Sequence, residues 1–443
     1  MTADVSKERT RNYLHQIKGA VVYKAVAMLA SFLAIPMMIR YLGQEQFGVW
    51  STLLTVMSWI VFFDLGIGNG LRNKVAEALA RNDKAEAANY IASGYSLIGL
   101  IALLLWAMVT GASFFVPWQA VFNTQAIPEV TLRLTVQVAV FFVVLNFWIG
   151  LISAILGAVQ KTSMSALGQL ISNILALLFV FILTKTTDAT ITYLAVAYGI
   201  SLVAANMGLS WWFYRGHTEL RPKPYLDKRH ISPLLSVGMQ FFTIQIAVLI
   251  IFTTDKMLIS QLFGPEFVTQ YDVIFKLFGI VTFLHALITA PLWSAYTDAY
   301  HKDDFDWIKK VLYKQIWIFI WIVFLVISIA ITAKPFIRIW IGSQIKVDFF
   351  LIISMSVLVL ATTWLNIFSN FLNGVQKIKV SWVVSIFAML VNIPISMYLA
   401  CHTSLGVSSV VIGTICALLP GVFLGPYQVI KIINKRDSGI WGR

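Results

Sequence analysis

The chain has 443 residues, of which 59% are hydrophobic and only 12% charged, with a mean hydropathy of +0.80 and a pI near 9.6. So little charge over this length excludes a soluble globular protein and points to a polytopic membrane protein. The net charge of +13 is therefore read first as loop topology, with no nucleic-acid partner invoked.

A helix needs about 20 apolar residues to cross roughly 30 Å of hydrocarbon. Runs at 17–41, 46–66, 91–116, 134–158, 164–184 and 191–214, then 232–260, 268–295, 312–334, 349–373, 380–401 and 405–430 meet that length. They predict an all-α protein with about twelve transmembrane helices, without the alternation of outer-membrane strands. The polar start, Met1 to Gln16, leads into a long apolar run with no small-residue cleavage pattern, so the first span is expected to stay in place.

Cations fall on one side of these spans. Lys7, Arg9, Arg11 and Lys18 precede the first, Arg72, Lys74, Arg81 and Lys84 follow the second, and Lys161 follows the fourth. Arg215 to Arg229, Lys302 to Lys310, Lys377, Lys379 and Lys431 to Arg436 continue the pattern. The positive-inside rule puts this side, with both termini, in the cytoplasm. The opposite loops are short and leave no room for an external domain. Two cytoplasmic segments read as amphipathic surface helices: Asn69 to Asn89, with Ala76, Leu79 and Ala80 on one face, and Thr297 to Lys310.

The chain repeats itself. Gly43 and Glu45 match Gly264 and Glu266, Arg81-Asn-Asp-Lys84 matches His301-Lys-Asp-Asp304, and Gly157-Ala-Val-Gln-Lys161 matches Asn373-Gly-Val-Gln-Lys377. An even number of spans per copy gives both halves the same orientation, so they are parallel repeats related by an axis along the membrane normal. The basic linker Arg215 to His230, with Pro222 and Pro224, divides residues 1–220, an N-terminal bundle, from 221–443, a C-terminal one.

Charges inside spans cost about 2.5–3.5 kcal/mol on insertion scales and face a cavity or a partner. Lys24, Asp255, Lys256 and Lys276 are such charges. Asp255 either pairs with a nearby lysine or lines a cavity. Successive helical residues point about 100° apart, so it and Lys256 do not neutralise each other directly. Arg40, at the outer end of the first span, has an interfacial reading and an anion-guiding one. Asn146, Gly150, Ser153, Gly157 and Gln160 on the fourth span, and Asn366, Asn370 and Asn373 on the tenth, recur at helical spacing. Packing accounts for the glycines, whereas the carboxamides can hydrogen-bond sugar hydroxyls.

Phe63-Asp-Leu-Gly-Ile-Gly-Asn-Gly-Leu-Arg72 lacks dinucleotide spacing and a preceding strand, so it reads as a membrane exit in which Asp64 and Arg72 pair or gate. Asp298 occupies the corresponding exit of the second half. No Gly-Lys-Ser/Thr phosphate loop occurs, and the six histidines show no metal-ligand spacing. His285 alone sits where it could titrate in a pathway, with packing as its other reading. Cys401 and Cys416 read as small buried hydrophobes.

Tyr41-Leu-Gly-x-Glu-x-Phe-Gly-Val-Trp50, Asp64-Leu-Gly-Ile-Gly-Asn-Gly-Leu71, Asp255-Lys-Met-Leu-Ile-Ser-x-x-Phe-Gly-Pro265 and Pro291-Leu-Trp-Ser-Ala-Tyr296 together resemble the Wzx-type O-antigen and polysaccharide flippases. That family lies in the multidrug, oligosaccharidyl-lipid and polysaccharide exporter superfamily. The resemblance implies two six-helix bundles around a central cavity in the bacterial inner membrane. It also implies transfer of an undecaprenyl-pyrophosphate-linked oligosaccharide to the outer leaflet, with membrane lipids and polysaccharide assembly proteins as partners and no cofactor.

On that reading Lys24, Arg40, Lys256 and Lys276 serve the pyrophosphate, the asparagines serve sugars, and Trp293 and Trp364 serve sugar faces. A proton or sodium gradient supplies the drive, with Asp64, Asp255 and Asp298 as candidate coupling carboxylates. A drug/cation antiporter of the same fold is the nearest rival, but these spans hold more lysines than carboxylates. A membrane-embedded glycan polymerase or transferase is a further rival, but the short outer loops leave little room for a catalytic domain and no cytoplasmic one is read in the chain.

Overall fold

The computed structural model describes residues 2–60, 67–159, 161–223, 225, 227, 229–232, 234, 253–289, 292, 296, 299–300, 303–375, 377–436 and 438–442. Side chains are described from Gly19 on, except at 69, 80, 162 and 442. Their regular structure is helical with no strand among them, and 10 helical segments, one of them joining Glu129 to Ala158, are long and apolar enough to span a membrane. The spans expected at 46–66 and 232–260 run into residues outside the described set. Their described parts are a helix at Gln44–Ser58 and a helical stretch at 253–262.

The chain divides into two compact units, Met1–Ile246 and Ala247–Arg443. The first contains α1 (Thr2–Leu42), α2 (Gln44–Ser58), α3 (Ile67–Ala80), α4 (Lys84–Ala112), α5 (Trp118–Phe122), α6 (Glu129–Ile149), α7 (Ile152–Ala158), α8 (Thr162–Thr186) and α9 (Ile191–Gly216). Long helix α1 packs along α8, where the Asn173 amide donates to the Ala27 carbonyl at 2.9 Å. Between α6 and α9 the Thr135 and Thr192 hydroxyls meet at 2.7 Å.

The segment expected as one surface helix from Asn69 to Asn89 is instead two helices. Arg81 and Asn82 turn the chain, with Asn82 at φ 58°, a left-handed conformation that asparagine tolerates. Asp83 then caps α4 by accepting from the Glu86 backbone N–H at 2.9 Å. The buried stripe of α3 is also different: Ile67, Leu71, Val75 and Ala78 are fully buried, while Ala76 and Leu79 are only partly so. Spacings of three and four residues put those four on one face. They pack against Ile91 and Ile98 of α4 and Ile152 and Leu156 of α7, each large apolar side chain contributing about 1.5–3 kcal/mol.

The linker packs on this same unit. Leu220 and Leu234 are buried in the α3 core, and His230 Nε2 lies 3.1 Å from Glu86 Oε2 beneath the Tyr90 ring. The Tyr225 backbone N–H donates to Ser96 Oγ at 3.2 Å. Gly70 has no room for a side chain, because a Cβ there would stand 2.6 Å from the Leu234 carbonyl oxygen.

The second unit contains the stretch 253–262, α10 (Pro265–Thr289), α11 (Phe305–Trp340), α12 (Phe349–Gly374), α13 (Lys379–His402) and α14 (Ser408–Ile433). Its core gathers Tyr296, Ile308, Phe371, Val429 and Ile432, with α14 packed on α12 and α13. The expected second surface helix likewise breaks at Asp303, φ 55°, and Asp304 caps α11 through the Trp307 N–H at 3.0 Å. Asn82 and Asp83 thus stand where Asp303 and Asp304 do. Gly43 (φ 80°) and Gly264 (φ 113°), at the same sequence separation, both make left-handed turns that glycine alone enters without strain. Cys401, expected buried, is exposed near the end of α13, and Cys416 is half-buried.

Candidate functional site

Burial of polar groups concentrates in the second unit. Asp255 is 2% exposed, and Asn392, Ser396 and Thr414 are fully buried. The Tyr271 hydroxyl donates to Asp255 Oδ2 at 3.1 Å, and Thr414 Oγ1 lies 3.1 Å from Asp255 Oδ1. Thr414 Oγ1 is also 3.1 Å from Asn392 Oδ1 and 3.3 Å from the Val410 carbonyl. Ser396 Oγ reaches Asn392 Oδ1 and the same carbonyl, both at 3.3 Å. Thr414 has one proton for three acceptors, so the cluster holds more oxygen lone pairs than protons.

The helices make this convergence possible through spacing. Asn392 and Ser396 are one turn apart on α13, as are Val410 and Thr414 on α14. Gly413 brings the two helices together, since a Cβ there would fall 2.7 Å from Ser396 Cα. Ion-pair geometry to Asp255 is absent among the described residues; its hydrogen bonds come from hydroxyls.

Lys256, one residue on, turns the other way and places Nζ 2.5 Å from Asp272 Oδ1. The expected divergence of Asp255 and Lys256 is therefore seen, and their partners Tyr271 and Asp272 are neighbours on α10. Asp272 and Tyr271 stand in the same polar stretch as Asp255 but drew no assignment from the sequence, although a carboxylate inside an apolar helix signals a partner. Asn392, Ser396 and Thr414 carried the weaker signal of polar residues at one-turn spacing.

The other expected site residues are dispersed. Lys24 and Arg40 are exposed on α1 and Lys276 is half-buried on α10, one turn beyond Asp272. Asn146 accepts from Asn206 Nδ2 at 2.7 Å. Its stripe passes a local break at Gly150 and Leu151, between α6 and α7, within the one span Glu129–Ala158. Asn366 is exposed, Asn370 donates to the Asn366 carbonyl at 2.9 Å, and Asn373 is half-buried.

Arg72 is exposed and lies over Gly157, where a Cβ would meet its Nε at 3.0 Å. His285 is 2% exposed and its Nε2 has no partner among the described residues. Trp364 donates its indole N–H to the Val422 carbonyl at 3.1 Å. Asp64, Asp298, Trp293 and Gln160 lie outside the described residues.

A family model described as polysaccharide biosynthesis protein matches residues 20–295, which is more than half of the chain. The chain belongs to this family. A second model, described as MatE, matches residues 242–398. Over 412 residues the chain is 22% identical to a Salmonella typhimurium protein named as an O-antigen transporter, covering 91% of this chain and 93% of that one. It is also 22% identical over 370 residues to a Yersinia pseudotuberculosis protein named as an O-antigen export protein, covering 81% and 83%.

Among solved structures, an inward-facing multidrug resistance MATE family transporter of the MOP superfamily superposes with a TM-score of 0.77 at 16% identity, covering 95% of this chain and 100% of that one. The fold of this polysaccharide biosynthesis family member is thus the MATE-like all-helical one, and the chain is a multi-pass membrane protein. The family resemblance read from its motifs holds.

Proposed function

We propose that this chain is a flippase that moves an undecaprenyl-pyrophosphate-linked oligosaccharide, an O-antigen or related polysaccharide repeat, from the cytoplasmic to the periplasmic leaflet of a bacterial inner membrane. The observation that carries this reading is near full-length similarity to relatives named as O-antigen transporters on a transporter fold. Both termini are cytoplasmic on this account, as the cation distribution requires.

Ion-coupled alternating access drives the transfer, and the Asp255 cluster is the coupling site. One carboxylate oxygen, an amide oxygen, two hydroxyls and a backbone carbonyl suit a proton or a hard monovalent cation such as sodium. A proton on Asp255 donates toward Thr414, whose own hydrogen then turns to Asn392. Binding an ion there changes the bonds joining 253–262, α13 and α14, so the ion acts on helix packing directly.

Lys256 is neutralised by Asp272 and serves the architecture of this unit. Lys24 and Lys276 meet no partner among the described residues and are the cations offered to the pyrophosphate, with Arg40 near the outer end. The asparagines Asn366, Asn370 and Asn373 are offered to sugar hydroxyls, while Asn146 is committed to Asn206.

Leaflet transfer of a fluorescent polyprenyl-pyrophosphate oligosaccharide in proteoliposomes, against protein-free vesicles, tests the assignment. Transfer that rises with an imposed proton or sodium gradient is expected. Absence of lipid transfer together with extrusion of a cationic dye replaces it with the drug-antiporter reading.

A further inference from the structure

The N-terminal unit holds a separate cavity of about 610 Å³ among α4, α6, α9 and the linker. Its walls are Gly99, Trp148 and Met207. Gly99 lets the Trp148 indole lie against α4, since a Cβ there would sit 3.0 Å from Trp148 Nε1, and the indole donates to the Tyr95 carbonyl at 2.9 Å. Trp148 and Met207 remain 40% and 56% exposed, so the groove is open along its apolar side.

Its deeper end is polar. Ser210 Oγ and Tyr214 Oη are buried and gather around the Tyr95 hydroxyl. Lys223 of the linker lies at the rim, with no carboxylate among the lining residues. Arg221 donates to the Tyr214 carbonyl at 3.1 Å, and Arg215 lies over the Trp211 ring at 5.2 Å. Basic and aromatic residues at one end of spanning helices mark the headgroup level.

We propose that this groove binds one anionic phospholipid of the bilayer, its acyl chain along Gly99, Trp148 and Met207 and its phosphate at Lys223, beside the hydroxyl-bearing end formed by Tyr95, Ser210 and Tyr214. One lysine with hydroxyl donors matches the single charge of a phosphodiester and not the higher charge of a pyrophosphate. The lipid also touches the linker at Pro222 and Lys223, fastening it to α4 and α9. This binding is independent of the transport reading and is measured without transport.

Purified protein is titrated with vesicles of brominated phosphatidylglycerol or brominated phosphatidylcholine, and tryptophan quenching is followed. Wild type should show a saturable component about fivefold tighter for the anionic lipid. Trp148→Phe should lose that component, and Met207→Phe, which fills the groove without adding an indole, should weaken it. Lys223→Gln should erase the preference for phosphatidylglycerol, and Lys223→Arg should keep it. Equal quenching of wild type and Trp148→Phe, or a preference that survives Lys223→Gln, overturns the site. Displacement of the quencher by polyprenyl pyrophosphate at lower concentration than by phosphatidylglycerol overturns the choice of occupant.

Discussion

Removing Lys256 leaves the Asp272 carboxylate, 6% exposed, without its ammonium partner. Breaking such a pair from one side costs more than replacing both halves by apolar groups of similar volume. Lys256→Ala is therefore expected to lower thermal stability in detergent by about 1–3 kcal/mol, and Lys256→Met with Asp272→Leu to recover most of it. If the double variant is no more stable than Lys256→Ala, the pair is not what holds that lysine. Lys24→Ala, by contrast, breaks no described contact. It should reduce transport of the pyrophosphate-linked oligosaccharide while leaving the melting temperature unchanged. Normal transport by that variant contradicts the assignment.

The linker supplies the pH-sensitive residue. The Arg229 backbone N–H, followed by the Tyr225 hydroxyl, holds the Asp227 carboxyl below its usual range. A carboxyl whose folded value is depressed adds stability that is complete above its unfolded value near 3.8 and is lost as pH falls through the folded one. Hydrogen exchange over 217–231, corrected for intrinsic rate, should stay slow at neutral pH and quicken as the sample is acidified below about pH 4 in wild type. Asp227→Asn should flatten that dependence. A linker equally protected in both across the range contradicts it.

Among elements, the caps and close contacts carry the argument. Asp83 and Asp304 accept the same helix-start hydrogen bond in the two units, so Asp83→Ala and Asp304→Ala should each cost about 1 kcal/mol. A much larger loss at one site, measured by thermal unfolding, would show that the repeat is not mechanical there. Gly413→Ala forces Ser396 and α14 apart, with an expected loss of about 1–3 kcal/mol and of ion-stimulated transport together.

These elements show which parts of the structure the sequence reveals. Hydropathy locates the 10 described spans because insertion is a property of a local window. It misses the breaks at Asn82 and Asp303, where short polar residues switch the backbone within an otherwise helical pattern. Periodicity finds Asp255 as costly but not Tyr271, Asn392 or Thr414 as its neighbours, since α13 and α14 lie far along the chain and tertiary contact leaves no local trace. The same limit hides the pairing of Lys256 with Asp272, 16 residues on and in the next helix beyond Gly264.

At the level of the whole molecule, two units built on one plan and a fold shared with MATE transporters place a buried, hydroxyl-bonded carboxylate in the second unit only among the described residues. On the proposed coupling reading, a carboxylate held by the Tyr271 and Thr414 hydroxyls would gain or lose a cation without breaking an ion pair. Asp255→Asn keeps the shape and removes the charge; its amide oxygen accepts from one of the two hydroxyls now bonded to separate carboxylate oxygens, and its NH2 donates to the other. The decisive measurement compares wild type and Asp255→Asn for leaflet transfer of the polyprenyl-pyrophosphate oligosaccharide in proteoliposomes, with a proton gradient, a sodium gradient or neither. The account predicts gradient-stimulated transfer in wild type and the same low rate under all three conditions in a stably folded Asp255→Asn. Full gradient stimulation in that variant would contradict it.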